Sequence, residues 1–428
     1  MKKMSNITIE KTVDNNLCCS CGICKAVCPK FCIEYKKNMG QYVPIIDKEQ
    51  CIKCGLCLEL CPGIHTNYKQ IYKNLGQEYP KDIFVGNYIY CLNAFSRDEQ
   101  IRKNGTSGGV ITNIIQYLLK EKKYECAFLV DTFNYDKQVD VNKYDCIDDY
   151  KNISKSRYVS VSQANLIKHI IEYPTEKIIV VAVGCTVYGI TKIIQKYKLN
   201  RNNYLILGLF CDNSLSYYIF DYFNQNNQLK DLYFRNKEKS GWPGDVKLIL
   251  KNGEEKYYPA KKRQEVKRYF QLERCCYCID KLNQLADISI GDNYTSHNKD
   301  IKGTNSLIIR TQQGKQIVEE MRDKIESYPI SIEEIYQAQK IDIKKKQVDN
   351  IKILYKNTNI SVCDDITSDS RQINNKNTKL YKRKLKDIGI GKQYSAKPYK
   401  LYISLHYVKL KNMIKKTIKN ILSNIIRR

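Results

Sequence analysis

Apolar residues in this chain gather in short runs separated by polar stretches. Runs of strand length recur at Cys126–Val130, Lys177–Val183, Tyr204–Phe210, Val246–Leu250, Ala286–Ile290 and Ser306–Thr311. Apolar positions at helical spacing fall between them, over Gln163–Ile171, Thr191–Tyr197 and Gly314–Ile325. This alternation, over roughly 250 residues, predicts an α+β domain built on an α/β-like mixed sheet, of ordinary single-domain size.

Other stretches carry local signals. Tyr35 to Asp47 alternates like a hairpin that turns at Asn38-Met39-Gly40. Gly105-Thr106-Ser107-Gly108-Gly109-Val110-Ile111-Thr112 leads into a helix over Asn113–Lys120. Thr106 or Ser107 can cap it, and Ile111, Ile114, Ile115 and Leu118 share its inner face. Glycines before a helix let a phosphate reach free N–H groups, although the same residues also make a plain tight turn. Residues 343–398 are polar, with runs such as Asn374-Asn375-Lys376-Asn377, and read as a mobile linker. Residues 399–428 are helical in period. Leu401, Leu405, Val408, Ile414, Ile418, Ile421, Leu422 and Ile425 make one face; Lys409, Asn412, Lys416, Lys419 and Arg427 make the other. Such a basic amphipathic helix can lie on an anionic membrane, dock on an acidic partner or pack on its own domain.

Cysteine spacing changes the picture most. Cys18, Cys21, Cys24 and Cys28-Pro29 read C-x2-C-x2-C-x3-C-P, and Cys51, Cys54, Cys57 and Cys61-Pro62 repeat it. This is the run of bacterial dicluster ferredoxins, in which the fourth Cys ligates the other cluster. The expected sets are Cys18, Cys21, Cys24 and Cys61 for one [4Fe–4S] cluster, and Cys51, Cys54, Cys57 and Cys28 for the other. A disulfide framework suits small secreted domains, and zinc wants paired ligands around one ion, so both fit poorly. Cys19, Cys32, Cys91, Cys126, Cys146, Cys276 and Cys363 have no assigned role.

A second group of cysteines accompanies the strand-like runs: Cys185, Cys211, Cys275 and Cys278. Strand ends are common ligand positions in α/β sheets. A third cluster, a zinc site or buried free thiols all fit this spacing.

The chain has 428 residues, 43% of them hydrophobic, and a formal net charge of +27. Its lysines are scattered among Asn, Ile and Tyr, and no nucleic-acid-binding motif appears. No nucleic-acid partner is therefore expected, and the charge suits an acidic electron carrier or an anionic surface. Met1 to Glu10 lacks a signal-peptide core, and no apolar run reaches membrane-span length. The expected place is the cytoplasm, with peripheral contact at the inner face of the membrane through the terminal helix.

The motif order resembles the coenzyme F420 hydrogenase/dehydrogenase beta subunit family. Gly105 to Thr112 resembles its SGG-x-x-T segment, and Ser156-Arg157-Tyr158-Val159 its S-K-Y-V. Val183-Gly184-Cys185-Thr186-Val187-Tyr188-Gly189 resembles G-T-P-C-Q-x-x-G, Cys211 falls on the Cys of C-H-G, and Phe234-Arg235-Asn236-Lys237 resembles F-R-D-K. Cys275 to Asp280 resembles C-x-x-C-x-D, and Leu285 to Asp292 resembles L-A-D-I-S-x-G-D. The resemblance runs from about residue 14 to 330. It implies FAD beside iron–sulfur clusters and reversible hydride exchange with a deazaflavin or similar small molecule. It also makes Cys185, Cys211, Cys275 and Cys278 ligands of a third [4Fe–4S] cluster. Ser107, Gly108, Gly109 and Thr112 are the candidates for the flavin, with Arg157 and Arg235 for anionic groups on cofactor or substrate. The chain departs from the pattern at Val183-Gly184, Thr186 and Asp212, which leaves the substrate open.

The expected layout is a ferredoxin-like domain at 1–70, a connector at 71–104, a flavin-binding beta-subunit-like domain at 105–342, a polar linker at 343–398 and the helix at 399–428. The expected function is an iron–sulfur flavoprotein oxidoreductase that moves electrons from a hydride donor through flavin to clusters, or in reverse, with an electron carrier or partner oxidoreductase. Its rival is a non-enzymatic ferredoxin-type subunit serving a partner enzyme, for which surface-polysaccharide synthesis is one setting. No catalytic acid is assigned; His65, His169, His297 and His406 lie in no catalytic pattern.

Overall fold

The computed structural model describes residues 8–130, 137–151, 153–224, 228–296, 298, 300–368 and 372–394. The expected helix over 399–428 and the loop residue His297 lie outside the described residues.

Near the start, β1 (Ile33–Asn38) and β2 (Gln41–Ile46) pair antiparallel, Asn38 opposite Gln41, so the turn is Met39-Gly40. Two short helices, Ile23–Ala26 and Leu56–Glu59, hold equivalent places in the two cysteine runs.

The main sheet has eight strands: β3 (Tyr90–Ser96), β4 (Cys126–Leu129), β5 (Asn142–Tyr144), β6 (Ile178–Val183), β7 (Tyr204–Leu209), β11 (Ile288–Asp292), β12 (Asn305–Ile309) and β13 (Ile325–Pro329). Their order is β13-β3-β12-β11-β7-β6-β4-β5. The central four, β11, β7, β6 and β4, run parallel, and the outer pairings are antiparallel. The parallel strands read as near-continuous apolar runs because helices cover both faces. All four therefore end on the same edge of the sheet, where ligands bind in open α/β sheets.

A separate three-stranded sheet holds β8 (Leu229–Asn236), β9 (Asp245–Leu250) and β10 (Glu255–Tyr258). The apolar run at Val246–Leu250 thus belongs to this small sheet and not to the main one. Its core is aromatic, with Phe220, Phe234 and Tyr217 in contact.

Two boundaries need correction. The stretch 71–104 is no connector, because β3 lies inside the main sheet between β13 and β12. Within β3, Cys91, Ala94 and Ser96 are buried, and Asn93 splits its apolar positions into two short pairs inside a Tyr-rich, polar stretch. The stretch 343–398 is no linker over its described part, since Ile341–Lys345, Gln347–Thr358, Asp364–Thr367 and Asn375–Tyr394 are helical. Ile341, Ile351, Val362 and Ile366 are buried among many polar neighbours, which is why the average composition misleads. This segment clamps the cysteine-rich start: His65 N donates to Ser361 O at 2.9 Å, and Asp365 accepts from Tyr68 N at 2.6 Å.

One apolar core runs through both halves. Leu17, Ile23 and Leu60 share it with Val187, Ile190 and Ile193 of the helix Gly184–Lys196. Among the described residues no helix is long and apolar enough to cross a membrane.

Candidate functional site

Three sets of sulfurs form. In the first, Cys18, Cys21, Cys24 and Cys61 are all buried; burial foremost pushes their thiols up, and like charge within the set adds to this at Cys21 and Cys24. Burial foremost, with like charge from Cys61, pushes Cys18 up to about 12. Backbone N–H groups already point at two of these sulfurs: Ser20 N to Cys18 Sγ and Gly63 N to Cys61 Sγ, both at 3.3 Å. In the second, Cys28, Cys51, Cys54 and Cys57 line one cavity, and Cys32 Sγ lies 3.4 Å from Cys28 Sγ. Each set takes its fourth sulfur from the other run: Cys61 bears on Cys18, Cys21 and Cys24, and Cys28 lines the cavity with Cys51, Cys54 and Cys57.

In the third set, Cys211 feels Cys275, Cys185 and Cys278. Cys185 opens the helix that follows β6, Cys211 follows β7, and Cys275 and Cys278 lie in and just after the turn Glu273–Tyr277. Ser214 N donates to Cys275 Sγ at 3.3 Å. Burial pushes Cys275 up to about 12. A fifth thiol joins from the first run: Cys19 acts on Cys185, lowering its pKa while its own is pushed up. It reaches across because the sheet domain grips its loop, with Gln163 N donating to Cys21 O at 2.9 Å and Gln138 Nε2 to Ser20 O at 2.9 Å. Four thiols crowded this way are easily ionised only against metal. The donor sets, with N–H groups aimed at sulfur, fit cubane clusters.

Beside the third set lies a cavity of about 370 Å³ at the ends of the parallel strands. Leu129, Val183, Leu209 and Asp292 mark those ends, and Cys19, Cys185 and Cys211 are in the wall. The loop Gly105–Thr112 supplies another wall. Of the six cofactor candidates, Ser107, Gly109, Thr112, Arg157 and Arg235 line the cavity, and Gly108 does not. Gly108 instead packs where a Cβ would lie 2.7 Å from Asn305 Oδ1 and 2.8 Å from Ala94 O, so its smallness serves the sheet contact. Ser107 Oγ donates to Thr304 O at 2.6 Å, which pins the loop to the residue before β12.

Arg235 is not a free anion grip. It is buried, ion-pairs with Asp292, and donates from Nε to Pro243 O at 2.8 Å and from Nη2 to Thr106 O at 3.2 Å. Its work is to brace the loop. Two lysines supply the positive charge that the spacing did not reveal. Lys155 lines the cavity, and burial foremost brings it down to about 8. Lys237 lies behind the loop and donates to Arg102 O, Ser107 O and Lys302 O at 2.7–2.8 Å. Burial, then Lys155, Arg102 and Arg235, bring it down to about 7. Lys237 was visible as the last residue of the F-R-D-K-like motif; Lys155 had no such signal. Asp212, in the cavity wall, is raised by burial but held well below the carboxylate range on balance by Lys281, Lys344 and Lys267.

No described histidine lines the cavity. His65 Nδ1 lies 3.4 Å from Asp364 Oδ1. His169 Nε2 lies 2.7 Å from Glu176 Oε2, and Cys126 completes a group that could hold a metal ion. Lys143 shares the same carboxylate oxygen at 3.7 Å, so the carboxylate is already compensated without one.

Sequence models of "Coenzyme F420 hydrogenase/dehydrogenase, beta subunit" match the chain twice, its N-terminal part at residues 91–168 and its C-terminal part at 175–337. A "4Fe-4S binding domain" model matches residues 44–63. The "Coenzyme F420-dependent sulfite reductase" of Methanocaldococcus jannaschii is 25% identical over 360 residues, 80% of this chain and 52% of that protein. The chain thus spans about half the length of that relative. A component of the F(420)H(2) dehydrogenase of Methanosarcina mazei is 24% identical over 325 residues, 74% of this chain and 86% of that one. A chain of the F420-reducing [NiFe] hydrogenase complex from Methanosarcina barkeri aligns with a TM-score of 0.49 at 21% identity, covering 64% of this chain and 96% of that one.

Proposed function

Because the chain belongs to the coenzyme F420 hydrogenase/dehydrogenase beta subunit family and carries a 4Fe–4S domain, we propose that it is an iron–sulfur flavoprotein oxidoreductase. It exchanges electrons between a two-electron hydride donor or acceptor and [4Fe–4S] clusters. The observation that carries this reading is a single cavity lined both by the loop Gly105–Thr112 and by Cys185 and Cys211. A ligand held there is in contact with the sulfur set.

A flavin, FAD by the family resemblance, supplies the change between two-electron and one-electron transfer that a cubane alone lacks. Ser107, Gly109, Thr112 and Arg157 would hold it, with Lys155 bringing charge suited to phosphates and Lys237 holding the loop from behind. Arg235 and Asp292 keep the loop in shape. Cys185, Cys211, Cys275 and Cys278 would ligate one cluster. Cys18, Cys21, Cys24 and Cys61 would ligate a second, and Cys28, Cys51, Cys54 and Cys57 a third. Cys185 and Cys211 belong to the cavity wall and to a sulfur set at once, so they carry electrons out of the cavity. In the second sulfur set Cys54 is exposed, and Lys30, Ile52 (56%) and Lys53 line the same cavity and are exposed with it. An acidic electron carrier or partner oxidoreductase would dock there.

The test is anaerobic purification with iron, sulfide and flavin counted per chain, followed by turnover with hydride donors, reduced F420 included, and artificial acceptors. About twelve irons and one flavin are expected, by four irons per sulfur set. The exposed rim around Cys54 also suits a second reading, a non-enzymatic electron-transfer subunit. A chain without flavin, inactive alone and rapidly reduced by a partner, would decide for that reading.

A further inference from the structure

Arg274 lies in the turn Glu273–Tyr277 that also carries Cys275, and only 7% of it is exposed. Its Nη2 donates to the carbonyl of Pro62 at 3.0 Å, immediately after Cys61. Its Nε and Nη1 are buried and have no hydrogen-bond partner among the described residues. The groups that bear on its charge are sulfurs: Cys19, Cys278, Cys185 and Cys275 on one side. On the other side, Arg274 acts on Cys61. A guanidinium keeps its proton at any relevant pH, so it cannot escape burial by becoming neutral. A buried charge with idle donors is costly unless anions compensate it. Thiolates bound to iron are the anions within its reach.

We propose that Arg274 is a shared tuning cation for two clusters, the one on Cys185, Cys211, Cys275 and Cys278 and the one on Cys18, Cys21, Cys24 and Cys61. It marks the junction where electrons cross from the sheet domain into the ferredoxin-like segment. Reduction adds one negative charge to a cluster, and a fixed positive charge with idle N–H groups among these sulfurs stabilises that reduced state, so both potentials rise. An electron crossing the junction oxidises one cluster by one electron and reduces the other by one. No proton moves, because Arg274 stays charged throughout. Arg274 is a positioning residue in this role, since it acts through the clusters and touches no substrate. The largest influences on Arg274 come from Cys19, Cys278, Cys185 and Cys275, so the set on Cys28, Cys51, Cys54 and Cys57 should respond far less to its removal.

This inference rests on the cluster assignments of the proposed function. The test is an anaerobic redox titration of the full chain followed by electron paramagnetic resonance, comparing wild type with Arg274→Gln and Arg274→Lys. In R274Q the reduced-to-oxidised ratio of two clusters at fixed potential should fall at least tenfold, a shift of about 59 mV for a one-electron couple. The remaining ferredoxin-type cluster should not move, and R274K should fall between. Unshifted potentials in a variant that keeps all its iron overturn the tuning role and leave the clusters standing. About eight irons in wild type, by four per cubane, would remove the sheet-domain cluster and the proposal with it. Should R274Q lose iron, wild type labelled with nitrogen-15 only in arginine guanidinium groups decides. Hyperfine coupling to that nitrogen should appear in two reduced clusters, and its presence in one alone or in none overturns the proposal.

Discussion

The hydroxyls of Tyr277 and Tyr381 lie 2.7 Å apart, both buried. The first sits in the turn with Cys275, the second in the helix Asn375–Tyr394, so that helix is bolted to the sulfur-bearing turn. Tyr381→Phe leaves the ring and removes the bond. It should lower unfolding stability by about 1 kcal/mol in a denaturant titration, with the iron content unchanged. A drop in iron as well would mean that the helix also holds the turn's shape.

The sulfur sets make distinct predictions for neighbouring thiols. Cys275→Ser should reduce iron by about four per chain and leave the ferredoxin-type signals in place. Cys19→Ser should keep the wild-type iron count, although Cys19 acts on Cys185, because it makes a fifth thiol where a cubane takes four. Loss of four irons in C19S would show that Cys19 and not one of the other four is the ligand.

Arg235 and Asp292 form an ion pair with side chains 4% and 12% exposed. Asp292→Asn leaves the guanidinium buried without its counter-charge and should cost about 3–5 kcal/mol. The double variant R235Q/D292N removes both charges and should cost less than D292N alone. Urea midpoints of the three proteins check this order, and flavin content should fall in D292N because the pair braces the loop Gly105–Thr112.

Lys155 carries a pH dependence. Burial lowers it from its ordinary range to about 8. Below that pH it is an ammonium in the cavity wall and attracts a phosphate. Above it the free protein has lost the charge, and binding must take up a proton. Affinity for FAD should therefore weaken as pH rises through about 8, followed by fluorescence from about pH 6.5 to about 9.5. Lys155→Met should bind more weakly at low pH and lose that part of the slope. An unchanged slope would place the phosphates elsewhere.

Much of the frame follows from local pattern. The paired C-x2-C-x2-C-x3-C-P runs name their chemistry because thiolate spacing around a cubane is a local property of the chain. The apolar runs that became β4, β6, β7 and β11 were legible because parallel, doubly covered strands are apolar throughout, and the run of antiparallel β12 was legible because all five of its residues are buried. Strand β3 was not, since Asn93 splits its apolar residues into the pairs Cys91-Leu92 and Ala94-Phe95, within a longer Tyr-rich, polar stretch. Nor were the helices of 341–394, whose apolar residues are diluted by Lys and Asn.

What the residues alone determined is therefore the presence of cluster-binding runs, a sheet domain, and Cys185, Cys211, Cys275 and Cys278 as a candidate set. What only the tertiary structure decided is how these parts meet. Long-range packing, not spacing, brings Cys19 to Cys185 across 166 positions (185 − 19) and places Arg274 against the carbonyl after Cys61. It also engages Arg235 with Asp292 while Lys155 faces the cavity. Such meetings depend on which faces of distant elements share a core, and that is a property of the folded whole rather than of any stretch of sequence.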